Sequence, residues 1–179
     1  MPSLLVILVL SLPTIATAAW PKGRQSTWHG YDRLDFPLPG DGARCIVVAP
    51  KTPSRNKPWI WRARFWGHQP ALELQLLEQG FHLAYCEVGG LFGAPSAVER
   101  WNKFHALAVR EGLSPRPILE GMSRGGLIII NWASANPDKV AAIYGDNPVC
   151  NFNSWPGGKN GKFSKNCLLY TSDAADEGH

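Results

Sequence analysis

What this sequence lacks narrows it first. Its four cysteines, Cys45, Cys86, Cys150 and Cys167, form no C-x-x-C pair, and no histidine stands at zinc-ligand spacing from them. Neither a structural metal site nor a thioredoxin-like centre is therefore indicated, and no cofactor is expected. Cys45 and Cys86 fall inside apolar strand-like runs, the usual setting of buried free thiols. Basic residues outnumber acidic ones by 18 to 14, for a net charge of +4, but they are scattered and form no stripe. That argues against nucleic acid as a partner. No apolar run reaches the roughly 20 residues that a membrane-spanning helix needs. Internal repeats and low-complexity blocks are absent, which leaves a single domain as the economical organisation. Neither G-x-G-x-x-G nor a glycine-lysine-serine/threonine ending occurs, so a phosphate loop is not expected.

The two ends stand apart from the rest. The chain opens on "MPSLLVILVLSLPTIATAAW", with an apolar stretch from Leu4 to Leu12, then Pro13 and the small-residue pattern Ala16-Thr17-Ala18. Residues 1–18 are expected to be a signal peptide, although no basic residue precedes the apolar stretch. Export to the periplasm or medium follows, with no stable membrane insertion after cleavage. From Cys167 the chain reads "CLLYTSDAADE", which resembles one reading frame of the transposon adapter used in tagmentation sequencing libraries. Residues 167–179 are expected to be adapter-derived and residues 19–166 to be the N-terminal part of one domain.

Within 19–166 the pattern is that of an α/β protein. "WHGYDRLDFPL" alternates as a strand does, "PGDG" makes a tight turn, and "ARCIVVAP" is a buried strand, together a hairpin. "PWIWRARF", "FHLAYCEV", "RPILE" and "VAAIYGDNPV" read as further strands. Between them "PALELQLLEQG", "APSAVERWNKFHALAVREG" and "SRGGLIIINWASANPD" read as helices, the first two stopped by Gly80 and Gly112 and the third near Asn136-Pro137. Strand and helix alternate from residue 58 onward. The expected fold is a mostly parallel sheet with an antiparallel N-terminal hairpin and helices on both faces.

One motif carries chemistry. "GMSRGG", Gly121 to Gly126, places Ser123 where a buried strand turns sharply into a helix. A serine whose hydroxyl must stand clear of a sheet edge needs a strained turn, and side chains at 121 and 125 are expected to collide across it. Gly126 would extend the small surface where helix meets strand. The Arg124 amide, at the helix start, would face a developing oxyanion, helped by the helix dipole.

On these residues the stretch from about Trp28 to Asn166 resembles the α/β-hydrolase superfamily, in particular secreted bacterial esterase and peptidase-like members related to dienelactone hydrolase and prolyl oligopeptidase. The resemblance implies an incomplete α/β-hydrolase sheet with Ser123 as nucleophile, acting on a small-molecule ester or a carbohydrate-linked substrate. It also implies a second oxyanion amide from the loop after "PWIWRA". Relatives often carry His-Gly there; here the choice lies between Ala63 and Arg64.

A triad in this superfamily runs Ser, then Asp or Glu, then His. Beyond Ser123 the sole histidine is His179, and Asp146, at the end of the next strand, is the acid best placed by topology. The base, and the acid if it is not Asp146, are then expected to be missing from a truncated chain, leaving the fragment inactive. His29, His82 and His105 are expected to be structural, whereas His68, with Trp66, could line the substrate site. Trp59, Trp61 and Trp66 also suggest a rival from another class, a non-catalytic exported carbohydrate-binding protein that keeps the elbow as scaffold; core packing is the plainer reading of these indoles.

Overall fold

Each strand and helix expected from residue 44 onward forms in the structure, a computed structural model that describes residues 20–151. Residues 1–18, expected to be a signal peptide, and the stretch 167–179 lie outside the described residues. No helix among the described residues is long and apolar enough to cross a membrane.

The expected antiparallel N-terminal hairpin forms, with one strand more than the sequence indicated. "WHGYDRLDFPL" is not one strand: β1 (Arg24–Trp28) and β2 (Tyr31–Pro37) flank His29 and Gly30, whose φ angles are +49° and +81°. Two successive left-handed residues make the tight turn whose twist matches an antiparallel pair. His29 thus sits in a turn rather than a strand. β2 then pairs with β3 (Arg44–Ala49), giving a three-stranded antiparallel meander.

The described residues form a seven-stranded sheet in the order β1-β2-β3-β5-β4-β6-β7, with β4 (Trp59–Arg62), β5 (His82–Cys86), β6 (Ile118–Met122) and β7 (Ala142–Asp146) mutually parallel. The chain steps from β4 outward to β5 through α1 (Ala71–Glu78), then back past β4 to β6 through α2 (Pro95–Arg110), and on to β7 through α3 (Gly125–Ala135). Right-handed crossovers in opposite directions put α1 on one face and α2 and α3 on the other. The reversal leaves a crevice at the carboxyl ends of β4 and β6, where α/β sheets bind ligands.

Side-chain alternation fills both faces. Cys45 and Val47, with Trp59 and Trp61, join the core beneath α2 and α3, whereas Ile46, Val48 and Ile60 join Leu77 of α1 on the opposite face. Helix α2 buries Ala97, Trp101, Phe104 and Ala108, a stripe of helical period. Trp61 stacks on Trp101 at 3.9 Å between ring centroids and meets Trp132 edge-on at 5.3 Å. Trp59, Trp61, Trp101 and Trp132 are all fully buried. Each takes roughly 200 Å² from water, about 5 kcal/mol of transfer free energy against an extended chain. These indoles are core. β7 is the edge strand among the described residues, with Ile143 and Tyr144 about half exposed.

Candidate active site

Ser123 directly follows β6 and has φ +47°, while Arg124 is already helical at φ −58° and ψ −18°. A left-handed serine costs roughly 1–2 kcal/mol, so the surroundings must impose it. They do so through the backbone. The Ser123 amide donates to the Asp146 carbonyl at 2.9 Å, and the Ser123 carbonyl accepts from Gly126 at 3.0 Å and Val149 at 2.8 Å.

The glycines are packing requirements with particular neighbours. A Cβ on Gly121 would lie 2.4 Å from Ile129 Cδ1 and 3.0 Å from the Gly125 carbonyl. On Gly125 it would press the loop after β4, 3.3 Å from Ala63 Cβ and 3.4 Å from Arg64 Cβ. On Gly126 it would strike the segment after β7, 2.5 Å from the Val149 carbonyl and 2.7 Å from Pro148 Cβ. The side chains expected to clash across the turn, at 121 and 125, would instead meet α3 and the loop after β4.

That packing brings the loop after β4 to the start of α3. Of the two residues considered for the second oxyanion amide, Ala63 already has its N–H engaged, donating to the Glu120 carbonyl at 2.9 Å as a continuation of the β4–β6 ladder. The strand pairing runs one residue further than the sequence reveals. Arg64 is left, its amide nitrogen 3.8 Å from the position of a Gly125 Cβ and so beside the amino end of α3. The guanidinium groups of Arg64 and Arg124 both lie over the Phe65 ring, at 5.4 and 5.6 Å from its centroid.

Phe65, Trp66, His68, Met122 and Ser123 line an open cleft of about 480 Å³. Asp146 lines a neighbouring cleft of about 470 Å³ on the α1 face, with Glu73, Glu120, Met122 and Tyr144. Met122 borders both. Asp146 Oδ1 accepts from Asn147 Nδ2 at 3.1 Å.

The other histidines belong to the framework. His82, buried at the start of β5, is pushed down to about 4 by desolvation and by Lys57. His105 is held below its usual value by burial, against the Pro115 carbonyl that its Nε2 meets at 2.9 Å. Among the described residues His68 alone of the histidines lines the cleft with Ser123. No cluster of residues among them could hold a metal ion.

A group that sequence reasoning missed lies beneath the loop. Arg62, Glu73 and Glu120 are buried together, with Arg62 Nη1 donating to Glu73 and, at 2.9 Å, to Glu120. Burial pushes the Glu120 carboxyl up to about 6; Arg62 opposes that shift and Asp146 adds to it. The available signal was a charge in each of two apolar strands, "WIWR" and "ILEGM".

No family model matches the chain, and no curated protein matches it. Solved structures do. A cold-adapted esterase from an Arctic intertidal metagenomic library superposes with a TM-score of 0.55 at 12% identity, over 69% of this chain and 62% of that one. A CIB-like hydrolase from Thermoplasma acidophilum gives 0.51 at 18% identity, over 72% and 68%. A protein described as a lipase from Acinetobacter baumannii gives 0.52 at 15%, over 67% and 42%. The fold is that of the α/β hydrolases, as the resemblance of "GMSRGG" implied. The chain spans less than two thirds of the esterase's length.

Proposed function

We propose that the whole protein is an exported serine hydrolase that cleaves carboxylic esters, in preference to peptide bonds, through an acyl-enzyme on Ser123. The observation that carries this reading is the left-handed Ser123 at the strand-to-helix turn, locked by three backbone hydrogen bonds and flanked by Gly121 and Gly126, neither of which has room for a side chain. Such strain is characteristic of a nucleophile held clear of its sheet.

In the proposed reaction Ser123 Oγ attacks the ester carbonyl as an imidazole takes its proton. The oxyanion then forms near the amides of Arg124 and Arg64, and the alcohol leaves with a proton returned by the same imidazole. Water completes the cycle by the same route. His68 and Trp66 contact the substrate, and Asp146, whose carbonyl accepts from the Ser123 amide, is the candidate acid. The base is proposed to lie in the part of the whole protein that follows residue 166, along with the acid if Asp146 does not serve. On this reading the 179-residue chain is inactive. Non-catalytic carbohydrate binding loses much of its motive, since of Trp59, Trp61 and Trp66 the first two are fully buried and Trp66 alone borders the cleft.

The test begins by reading the gene past the codon for Asn166. The complete protein is then assayed on short-chain p-nitrophenyl esters and on peptide anilides. Ester turnover is expected, reduced by about 10³-fold or more in Ser123→Ala. Equal turnover in wild type and variant would refute the proposal.

A further inference from the structure

Arg62 closes a strand that is otherwise Trp-Ile-Trp, and its side chain is almost wholly buried. Every nitrogen of its guanidinium is engaged. Nε donates to the carbonyls of Arg64 at 2.9 Å and Phe65 at 3.1 Å, Nη2 donates to the carbonyl of His68 at 2.7 Å, and Nη1 serves Glu73 and Glu120. Three carbonyls of one short loop are thus turned inward onto a single cation.

The loop has reason to need this. Phe65, Gly67 and Gln69 have φ values of +53°, +78° and +47°, three left-handed residues in five, two of them carrying side chains. A loop so disfavoured keeps its shape only where its surroundings over-determine it. Glu120 is three residues before Ser123 on β6 and Glu73 is on α1, so the guanidinium fastens the loop to the nucleophile's own strand and to the helix below. As a source of stability the network is poor. Two carboxylates share one buried guanidinium, and Glu73 Oε2 and Glu120 Oε2 have no partner among the described residues. Buried ion groups of this kind are often no more stabilising than apolar packing. Their distinctive product is geometry.

We propose that Arg62 is the positioning residue of the oxyanion site: by gathering the carbonyls of Arg64, Phe65 and His68 it holds the Arg64 amide against the amino end of α3. The inference rests on the serine-hydrolase reading of Ser123. A lysine could keep the charge opposite Glu73 and Glu120, but its single ammonium cannot reproduce a planar fork with five donors.

The experiment uses the complete protein and follows acylation of Ser123 by a p-nitrophenyl ester, with KM and the thermal midpoint measured in parallel. Arg62→Lys is expected to acylate about 10²-fold more slowly, the scale of losing one oxyanion donor, while KM stays within about threefold, as for a group acting on the transition state. Arg62→Ala is measured with and without about 10 mM methylguanidinium, which is expected to restore acylation at least tenfold by refilling the vacated fork; simple loss of structure elsewhere would not respond in this way. Wild-type rates in Arg62→Lys, or no restoration of Arg62→Ala, would overturn the inference. A wild type that forms no adduct on Ser123 would instead mark failure of the serine-hydrolase reading itself.

Discussion

Ser123 and Asp146 are joined through the backbone, the Ser123 amide donating to the Asp146 carbonyl at 2.9 Å one residue beyond the end of β6. The elbow and the segment after β7 therefore form one unit, which Val149 completes by donating back to the Ser123 carbonyl at 2.8 Å.

Gly126 is where the elbow presses on the segment after β7. Gly126→Ala puts a methyl 2.5 Å from the Val149 carbonyl, so the segment must move. Urea unfolding is expected to show a loss of roughly 1–3 kcal/mol, the usual range for overpacking. Gly125→Ala, whose nearest contact is 3.3 Å, should lose less. Equal midpoints for Gly126→Ala and wild type would show that the contact is not a constraint.

His82 gives the fold a pH dependence. Its folded value, about 4, lies below its usual 6.5, so the unfolded chain binds the proton more readily. The stability this contributes is complete above pH 6.5 and is lost as pH falls towards 4, by up to about 3 kcal/mol. His82→Asn should flatten unfolding free energy between pH 6.5 and 4.5 relative to wild type. Parallel pH profiles would rule out His82 as the source.

Cys45 and Cys86 face each other across the β3–β5 pair, both fully buried, whereas Cys150 is exposed. A hydrogen bond with Cys45, together with burial, raises the Cys86 thiol well above its usual value, so little thiolate is available to react. Iodoacetamide at pH 8 should alkylate Cys150 and spare Cys45 and Cys86 until denaturant is added, as read by peptide mass spectrometry. Rapid native labelling of Cys86 would contradict this packing.

Ile143 and Tyr144 on β7 present apolar surface at a sheet edge, 47% and 46% exposed. The 179-residue chain is expected to aggregate through that edge, and Ile143→Lys to raise its soluble fraction. Size-exclusion chromatography of the two chains decides it: a monomeric wild type would remove the edge as an association site.

The parts legible in the sequence were those whose cause is local. Apolar runs such as "CIVVA" and "WIW" are strands buried on both faces, and "GMSRGG" marks its own turn. β1 escaped because "RQSTW" is polar and its turn is His-Gly rather than the commoner Asn-Gly. The choice between Ala63 and Arg64 depended on where β4 stops pairing, a one-residue question that periodicity cannot answer. A charge ending the apolar "WIWR" marked Arg62, but its pairing was not legible because its partners lie 11 and 58 residues away, and only tertiary folding collects them.

The central claim, that Ser123 is the nucleophile, is tested most directly by treating the complete protein with a fluorophosphonate and mapping the adduct by peptide mass spectrometry. A single phosphonyl group is expected on the peptide bearing Ser123 and none in Ser123→Ala. A folded complete protein left unmodified, or modified at another residue, would contradict it.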